Sequence, residues 1–495
     1  MGRSGWRHPT PTVPMPVPSQ DRARDTIRAA VEAAADLLDR SPVHEVTLEA
    51  VRQRAGVSQG SLRHHFGDRD GLIAAAQVER YRRSCATDAA FFAPLAGAVT
   101  SSAHFADVML GFIDDMLTPE RREARWLRIT AVAAGLNDDQ LLATLRHNAT
   151  MLIDHLSMIV IEGLRQGVLL PDTDPRTLAS LASMHAQGLM LDDLAGDDSP
   201  PSGWRHFQVR FLCGFLPEPS AQVLTEHAQV THGDLWRAEV IGPPGRIPHM
   251  VAGRLAELRA GMTPATAAED LTDARVVRDL LARQAPSTTS TELLPSGPAR
   301  LLELAVLHVR EHGAQGLDVK RLREESGLRT NTTFHRAFDG HQGVLRAARA
   351  SIELDRAANS VSRFAGLVAT AASPAEFRDA LTRWGSAFVD SERRRTLFQR
   401  AETIAAARTD AVLRGVLAPT QRACRDLLIE QVCLAQARGL IDPTLPASAV
   451  ARFLDGAVWW HLFHELDERR SGRDAWLGML RRIAAMLSPD RSSAG

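Results

Sequence analysis

A short stretch of the chain, residues 59–65, is rich in hydrogen-bonding side chains and contains no acid. Gln59 and Arg63 are residue types that bind adenine and guanine edges, respectively, through paired hydrogen bonds. Ser61 and His64 add further donors and acceptors. These types at this spacing favour the reading of base edges in a DNA groove. For any one of them taken alone, a solvated surface position is the alternative.

The neighbouring residues predict the elements that would hold this stretch. Gly56 is expected to end one helix, because glycine adopts the left-handed conformation with little strain. Ser58 is expected to cap the next helix by accepting a free backbone N–H. Leu62 and Phe66 lie four residues apart and would point together into a core. A helix, a tight turn and a short polar helix form a helix-turn-helix, whose second helix enters the major groove.

Residues 54–72 resemble the DNA-binding signature of the TetR family of bacterial transcriptional regulators. The residues that match the family pattern are Ala55, Gly56, Val57, Ser58, Gly60, Leu62, His65, Phe66 and Leu72. The chain departs from the pattern at Arg63, where the family has tyrosine, and at Arg69, where it has lysine. Arg69 retains the positive charge that binds phosphate. Arg63 has a charged guanidinium group where the family has a phenol ring.

The resemblance implies which residues of this first head contact DNA. Phosphates are expected to meet Thr47, Arg69 and the backbone N–H groups at helix starts. Together with the residues that face the bases, the predicted DNA-binding set is Thr47, Ser58, Gln59, Gly60, Ser61, Arg63, His64, His65 and Arg69.

The composition of the whole chain is that of an ordinary soluble protein. Its 495 residues suggest two to four domains, and its net charge of −1 means that any basic surface must be local. The four cysteines form no Cys-x-x-Cys pair, so neither a disulfide framework nor a zinc site is expected. No apolar run reaches the ~18 residues of a membrane helix. We therefore expect a cytoplasmic, nucleoid-associated bacterial protein with no membrane partner.

No motif for catalysis is present. The sequence contains no Gly-x-Ser-x-Gly, no His-Glu-x-x-His, no P-loop and no dinucleotide-binding glycine motif. We expect no catalytic residues and no cofactor, and therefore no enzyme. A metal-binding interpretation of His461, His464 and Glu465 is outweighed by a pocket or helix-interface role, so no metal ligands are predicted.

Apolar residues at helical spacing run through the rest of the chain, and strand-like alternation is nearly absent. The predicted fold class is therefore all-α. Residues 1–20 are rich in proline and are predicted to be a disordered tail. The resemblance implies a helix-turn-helix head at 21–85 and a helical ligand and dimerisation domain at 86–217.

An internal repeat follows this first unit. Residues 319–327 repeat residues 48–56 at an offset of 327 − 56 = 271, and from Phe338 the offset is 338 − 66 = 272. Pairs at the second offset are Phe105 and Phe377, Asp138 and Asp410, Leu141 and Leu413, Gly167 and Gly439, Trp204 and Trp476, and Pro217 and Pro489. The repeat predicts two TetR-like units in tandem, 21–217 and 298–489.

The second head, residues 298–350, departs further from the family pattern. One extra residue lies between Gly327 and Phe338, and His341 stands where the first head has Arg69. Its predicted DNA contacts are Arg329, Thr330, Asn331, Thr332, Thr333, His335 and Arg336. Two interpretations stay open: a second reading head for a different half-site, or a decayed head kept for packing.

Residues 218–297 lie between the units and are predicted to form a linker with a small helical module. Short helices are expected at 251–260, 264–271 and 273–283. Acidic residues in the last two argue against DNA contact and favour a packing role.

The resemblance implies that a small-molecule effector enters each helical domain and releases the heads from the operator. The second such domain is expected at 351–489. The tentative ligand contacts are Phe112, Trp126 and His155 in the first unit, and Trp384, Phe388, Trp459, Trp460, His461 and His464 in the second. Ordinary core packing is the alternative for each of them.

TetR-family regulators work as dimers, so the resemblance implies either an intramolecular pseudo-dimer of the two units or a homodimer of chains. A pseudo-dimer with unlike heads would read a non-palindromic operator in double-stranded DNA. The expected function is a TetR-type repressor released by a small-molecule effector. The alternative is a ligand-sensing or protein-interaction module in which one or both heads no longer bind DNA.

Overall fold

The computed structural model describes most of the chain, and helices are the regular elements of every range that it describes. Those ranges are 19–41, 43–135, 138–196, 203–238, 247–260, 271–284, 296–314, 317–327, 331–386, 394–469 and 471–489. The all-α prediction is confirmed over these residues. The predicted disordered tail, residues 1–20, lies outside them except for its last two residues, where helix α1 begins at Ser19.

The chain divides into two compact units, Met1–Arg80 and Tyr81–Gly495. The first compact unit contains α1 (Ser19–Leu38), a 3-10 turn (Val43–Glu45), α2 (Leu48–Ala55), α3 (Gln59–Phe66) and the start of α4 (Arg69–Ala98). Apolar residues at helical spacing close its core: Ala30, Ala34, Leu38, Val46, Val51, Leu62, Leu72 and Ala76.

The second compact unit contains two successive series of helices. The first series continues from α4 with α5 (Ser102–Asp115), α6 (Pro119–Gly135), α7 (Asp139–Arg165), α8 (Pro175–Gly188), α9 (Met190–Ala195), α10 (Trp204–Cys213) and α11 (Glu218–Ala238). The second series is α12 (His249–Arg259), α13 (Ala274–Ala282), α14 (Ser296–His312), α15 (Val319–Glu325), α16 (Asn331–Phe338), α17 (Gly340–Thr370), α18 (Pro374–Ser386), α19 (Arg394–Thr409), α20 (Ala411–Ala437), α21 (Ala447–Leu466) and α22 (Arg473–Leu487). None of the described helices is long and apolar enough to cross a membrane.

Helices α7 and α20 show how local sequence sets the bounds of an element. Asp138 and Asp410 precede them, and each carboxylate accepts the backbone N–H three residues on at 3.0 Å. Two residues after each helix a glycine takes a positive φ, 67° at Gly167 and 69° at Gly439. The left-handed conformation stops both helices after the same length of 27 residues.

Helix α8 packs along α21, and α22 contacts both α8 and α10. The backbones of α8 and α21 approach closely at Gly188 and Gly456, where a Cβ on Gly188 would lie 3.2 Å from the Cα of Gly456. Two glycines permit this approach because neither carries a side chain. The four helices α8, α10, α21 and α22 thus form a bundle that joins the two series.

Residues 218–238 form helix α11 in the structure, whereas the sequence analysis placed them in a linker. The helix packs against α5 and α10 and buries Leu224 and Ala228. The hydroxyl of Ser220 lies 2.8 Å from that of Ser102 on α5. Large apolar residues are sparse in this segment, so periodicity alone did not indicate a packed helix.

The helices of the middle region agree with two of the three that the sequence predicts. Helix α12 corresponds to the predicted 251–260 and α13 to 273–283, whereas the predicted 264–271 lies outside the described residues except for its last position. Helix α12 packs against α20, and α13 packs against α17. Ion pairs at 2.7 Å (Arg259–Glu430) and 2.6 Å (Arg278–Asp355) hold them there.

Candidate nucleic-acid interface and ligand cavities

Three residues set the turn between α2 and α3 of the first head. The hydroxyl of Thr47 accepts the N–H of Ala50 at 3.1 Å and begins α2. Gly56 takes a φ of 67° and ends that helix. Ser58 then accepts the N–H of Ser61 at 3.0 Å and begins α3. The glycine turn and the serine cap that the sequence predicts are confirmed.

Helix α3 has an apolar face and a polar face. Leu62 is 1% exposed, and Phe66 packs against the same core. Gln59, Arg63 and His64 are exposed. Within the described part of the chain, neither Gln59 nor Arg63 is hydrogen-bonded to another side chain, so both can meet a ligand. This is the orientation that a base-reading helix requires.

The other predicted contacts of the first head lie at the starts of α2 and α3, except His65, which lies in the last turn of α3. Thr47, Ser58 and Gly60 are exposed, and Ser61 and His65 are half-buried. The exposed side of the head therefore includes both helix starts, where backbone N–H groups favour phosphate.

Arg69 has a structural task that the sequence did not predict. Its Nε donates to the carbonyl of Val46 at 2.8 Å, and its Nη2 donates to the carbonyl of Val43. The side chain is half-buried and also pairs with Asp70 at 3.2 Å. Arg69 thus holds the segment that leads into α2, and its predicted phosphate contact would compete with these bonds.

Two acids of the first head, Glu49 and Asp36, have cationic partners within it. Hydrogen bonds from Arg52 and then Gln53 lower the pKa of Glu49 to about 2. Asp36 pairs with Arg54 at 3.0 Å. Because both carboxylates have cationic partners, the negative charge that they would present to a phosphate is offset.

The second head has its own core and its own turn. The carboxylate of Asp318 accepts the N–H of Arg321 at 3.1 Å and begins α15. Gly327 takes a φ of 73° after that helix. Apolar residues of its helices close a core: Leu301, Leu302, Ala305, Val309, Leu317, Leu322, Phe338, Val344 and Leu345.

Two of the seven predicted contacts of the second head can be placed by their side chains, His335 and Arg336, and both are exposed. Arg329 and Thr330 lie outside the described residues. Asn331, Thr332 and Thr333 lie on α16, but their side chains are outside the description. The ring of His341 lies 3.3 Å from the carbonyl of Leu317.

An apolar cavity of about 340 Å³ lies among α4, α5, α7, α8 and α10 in the second compact unit. Phe112, a predicted ligand contact, lines it. Among the described lining residues the one acid is Asp107, which lies 3.2 Å from the ring nitrogen Nδ1 of His227. The other lining residues are mostly apolar and include Phe91, Phe92, Leu95, Phe105, Val108, Met109, Leu156, Ile159, Val160 and Phe215. Such a cavity suits an apolar small molecule.

A second cavity, of about 470 Å³, lies among α14, α17, α18 and α19; charged side chains make it more polar than the first, although most of its lining is apolar. Trp384, another predicted ligand contact, lines it. Its charged lining residues are Arg310, Glu353, Asp355, Arg356, Arg363 and Arg400. This set carries a formal charge of 4 − 2 = +2, so the two cavities differ in chemistry.

The remaining predicted ligand contacts lie elsewhere or outside the description. Trp126 is buried under the guanidinium groups of Arg408 and Arg414, which lie 5.9 and 5.2 Å from its ring centroid. His155 donates from Nδ1 to the carbonyl of Met151 at 2.7 Å and lines neither large cavity. Phe388, and the side chains of Trp459, Trp460 and His461, lie outside the described residues.

Stacked histidine–tryptophan pairs occupy the helix bundle. His464, a predicted ligand contact, is buried with its ring centroid 5.2 Å from that of Trp476. His185, which the sequence did not single out, stacks on Trp204 at 5.1 Å. Burial lowers the pKa of His185 to about 4, so its ring is neutral near pH 7. An isolated histidine on an apolar helix face carries no sequence signal of such a contact.

A comparison with known protein families supports the helix-turn-helix assignment of the first head. Residues 30–76 match the family model described as bacterial regulatory proteins, tetR family. The chain therefore carries a TetR-family helix-turn-helix domain and is a DNA-binding regulator of transcription, a class whose members are not enzymes.

Particular relatives are more distant. The HTH-type transcriptional regulator UidR of Escherichia coli K12 is 25% identical over 190 residues, which are 38% of this chain and 92% of UidR. UidR of Shigella flexneri gives the same values. A crystal structure of a gamma-butyrolactone receptor (ArpA-like protein) is 20% identical and covers 42% of this chain and 99% of that one. Its TM-score of 0.22 is too low to support an argument.

Proposed function

We propose that this chain is a TetR-type repressor whose two units, 21–217 and 298–489, pair within one chain and release an operator when a small-molecule effector binds. The pairing of α8 with α21 is the observation that carries the proposal. These helices begin at equivalent positions of the repeat, 447 − 175 = 272. Contact between equivalent surfaces is the mark of a twofold dimer interface.

The repeat extends to individual hydrogen bonds. The N–H of Leu170 donates to the carbonyl of Phe215 at 2.9 Å, and the N–H of Asp442 donates to that of Leu487 at 2.8 Å. Both partners are displaced by the same amount, 442 − 170 = 272 and 487 − 215 = 272. Helices α7 and α20 also begin and end at this offset. These matches support two units of the same architecture.

Ion pairs support the association of the two units. Arg210 of α10 pairs with Asp442 at 3.1 Å, and its repeat equivalent Arg482, 210 + 272, pairs with Asp172. Arg176 on α8 also binds Asp467, with an Nε to Oδ2 distance of 2.9 Å. The two arginines are repeat equivalents, whereas their carboxylate partners are 442 − 172 = 270 positions apart, so the two ion pairs match the symmetry of an isologous interface only approximately.

The two heads differ in the residues that would face DNA. The first exposes Gln59, Arg63 and His64, and the second exposes His335 and Arg336. Unlike heads in one pseudo-dimer would bind unlike half-sites. The operator would then be non-palindromic, with the first head contributing most of the affinity.

Selection of bound sequences from a random pool of double-stranded DNA tests this function. Two unlike half-sites are expected. A palindrome would instead support a homodimer of chains that uses one kind of head. No enrichment by a folded protein would contradict the repressor and favour a ligand-sensing module without DNA binding. A mobility shift that weakens steeply with salt would verify any enriched site.

A further inference from the structure

The two repeat units, 21–217 and 298–489, differ around a buried arginine that the repeat places at the same position of each. Arg128 on α6 and Arg400 on α19 are related by 400 − 128 = 272, and both are buried. In the first unit, Asp88 binds Arg128 and Arg121 together. The cavity that these three residues line has a volume of only about 30 Å³.

The second unit lacks this carboxylate. The position equivalent to Asp88 is Ser360, since 88 + 272 = 360, and Ser360 lines the cavity of about 470 Å³ beside Arg400. Glu353 binds Arg356 and lies 3.4 Å from the Nε of Arg400. The buried carboxylate of Asp455 also interacts with Arg400 and Arg356. The cavity reaches Ser360, the position that Asp88 holds in the first unit.

Arg400 is surrounded by charges of both signs: Arg356 disfavours its protonated form, and Glu353 and Asp455 favour it. Burial, followed by the charge of Arg356, lowers the pKa of Arg400 to about 9. A depressed arginine pKa means that the protonated form is destabilised by its surroundings. An anion inside the cavity would favour the protonated form, because it adds a further charge of opposite sign beside the guanidinium group.

We propose that the cavity lined by Arg356, Ser360 and Arg400 binds a small organic anion, whose charged group takes the place that Asp88 holds in the first unit. A planar carboxylate suits guanidinium groups because it accepts paired hydrogen bonds. Trp384 offers an aromatic wall for the uncharged part of the ligand. The apolar cavity of the first unit selects a different chemistry, so the chain has sites for two classes of small molecule.

The anion site also adjoins the second head. Val309 and Arg310, near the end of α14, line the cavity. The side-chain amide of Gln399 donates to their carbonyls at 2.9 and 3.0 Å. An anion bound beside Arg400 would therefore lie next to Gln399, the residue that hydrogen-bonds to α14 of the second head. This regulatory consequence rests on the proposed function, whereas binding of the anion does not.

Calorimetric titration of the full chain without DNA tests the site. The probes are 2-naphthoate, its uncharged analogue 2-naphthamide, and inorganic phosphate. We expect 2-naphthoate to bind at least tenfold more tightly than 2-naphthamide. The apolar cavity does not favour a charged probe, so this preference reports the polar cavity.

Ser360→Asp is the decisive variant, because it supplies the carboxylate that the first unit already has. It should remain folded and lose at least tenfold in affinity for 2-naphthoate. Thr370→Asp adds the same charge on the same helix, about 15 Å along its axis, and should bind as the wild type does. Arg400→Met should also lose the preference for the charged probe.

Equal binding of the charged and uncharged probes would overturn the proposal. The proposal would also be overturned if the wild type and Ser360→Asp bound 2-naphthoate with the same affinity and also bound phosphate with the same affinity. Neither result touches the operator proposal, because no DNA is present in these titrations.

Discussion

Gly188 on α8 and Gly456 on α21 meet backbone to backbone: a Cβ on Gly188 would lie 3.2 Å from the Cα of Gly456. The two residues are 268 positions apart in the chain (456 − 188), yet their backbones are in close contact. A side chain at Gly188 requires a shift of the partner's backbone, which moves aside less easily than a flexible side chain.

Gly188→Ala should therefore destabilise the protein, although alanine favours a helix over glycine by about 1 kcal/mol. Overpacking at a close backbone contact costs about 1–3 kcal/mol, so a net loss in the free energy of unfolding is expected. Gly415→Ala on α20 is the matched control, because nothing lies within 4 Å of its added Cβ; it should be neutral or stabilising. Urea unfolding measures both. A stabilised Gly188→Ala would show that the helices do not pack through this contact.

Arg63→Ala should weaken binding to the selected operator by about 1–3 kcal/mol, the value of one bidentate contact to a base. The loss should be confined to one base position of the site. Arg165→Ala removes the same charge from an exposed position on α7 and should leave affinity unchanged. Mobility-shift titrations at fixed salt measure both variants. A loss of the same size on every DNA sequence would mean that Arg63 contacts a phosphate. No loss would mean that Arg63 does not contact the operator.

Asp88→Asn should lower the free energy of unfolding by about 3–5 kcal/mol, because it leaves two buried or half-buried arginines without their shared carboxylate. The side chains of Asp88 and Arg128 are each 7% exposed. Asp107→Asn is the control, since its side chain is 64% exposed and its pair with His227 contributes little. Chemical unfolding compares them. Similar small losses in both would show that the first unit does not depend on this charge pair.

His185 should make stability depend on pH below neutrality. Its pKa is about 4 in the folded chain, against an ordinary value of 6.5. The unfolded chain therefore takes up the proton first, so the stability present above pH 6.5 is lost as the pH falls towards 4. Between pH 7 and pH 5 the wild type should lose about 2 kcal/mol more than His185→Gln. Urea unfolding at both pH values measures this difference; equal losses would mean that the folded ring takes up a proton as readily as the unfolded one.

The predicted ligand contacts stay predictions, but the structure shows which of them line a cavity and gives the physical reason for the others. Phe112 and Trp384 were predicted from aromatic character alone, and each lines a cavity. Trp126 and His155 have the same character but lie under two arginines and at a backbone carbonyl, respectively. A sequence shows which side chains can line a cavity, whereas the packing of neighbouring helices determines whether one exists beside them.

The amino-acid sequence by itself determined the first helix-turn-helix, the all-α class and the bounds of α7 and α20. Glycine turns, side-chain caps and helical spacing act over a few residues, so local sequence is sufficient for them. Only the tertiary structure decided that α8 pairs with α21, that Arg69 holds the segment before α2, and that Arg400 lines a cavity of about 470 Å³. Those features depend on side chains brought together from distant parts of the chain, and periodicity carries no information about which distant partner fills a given space.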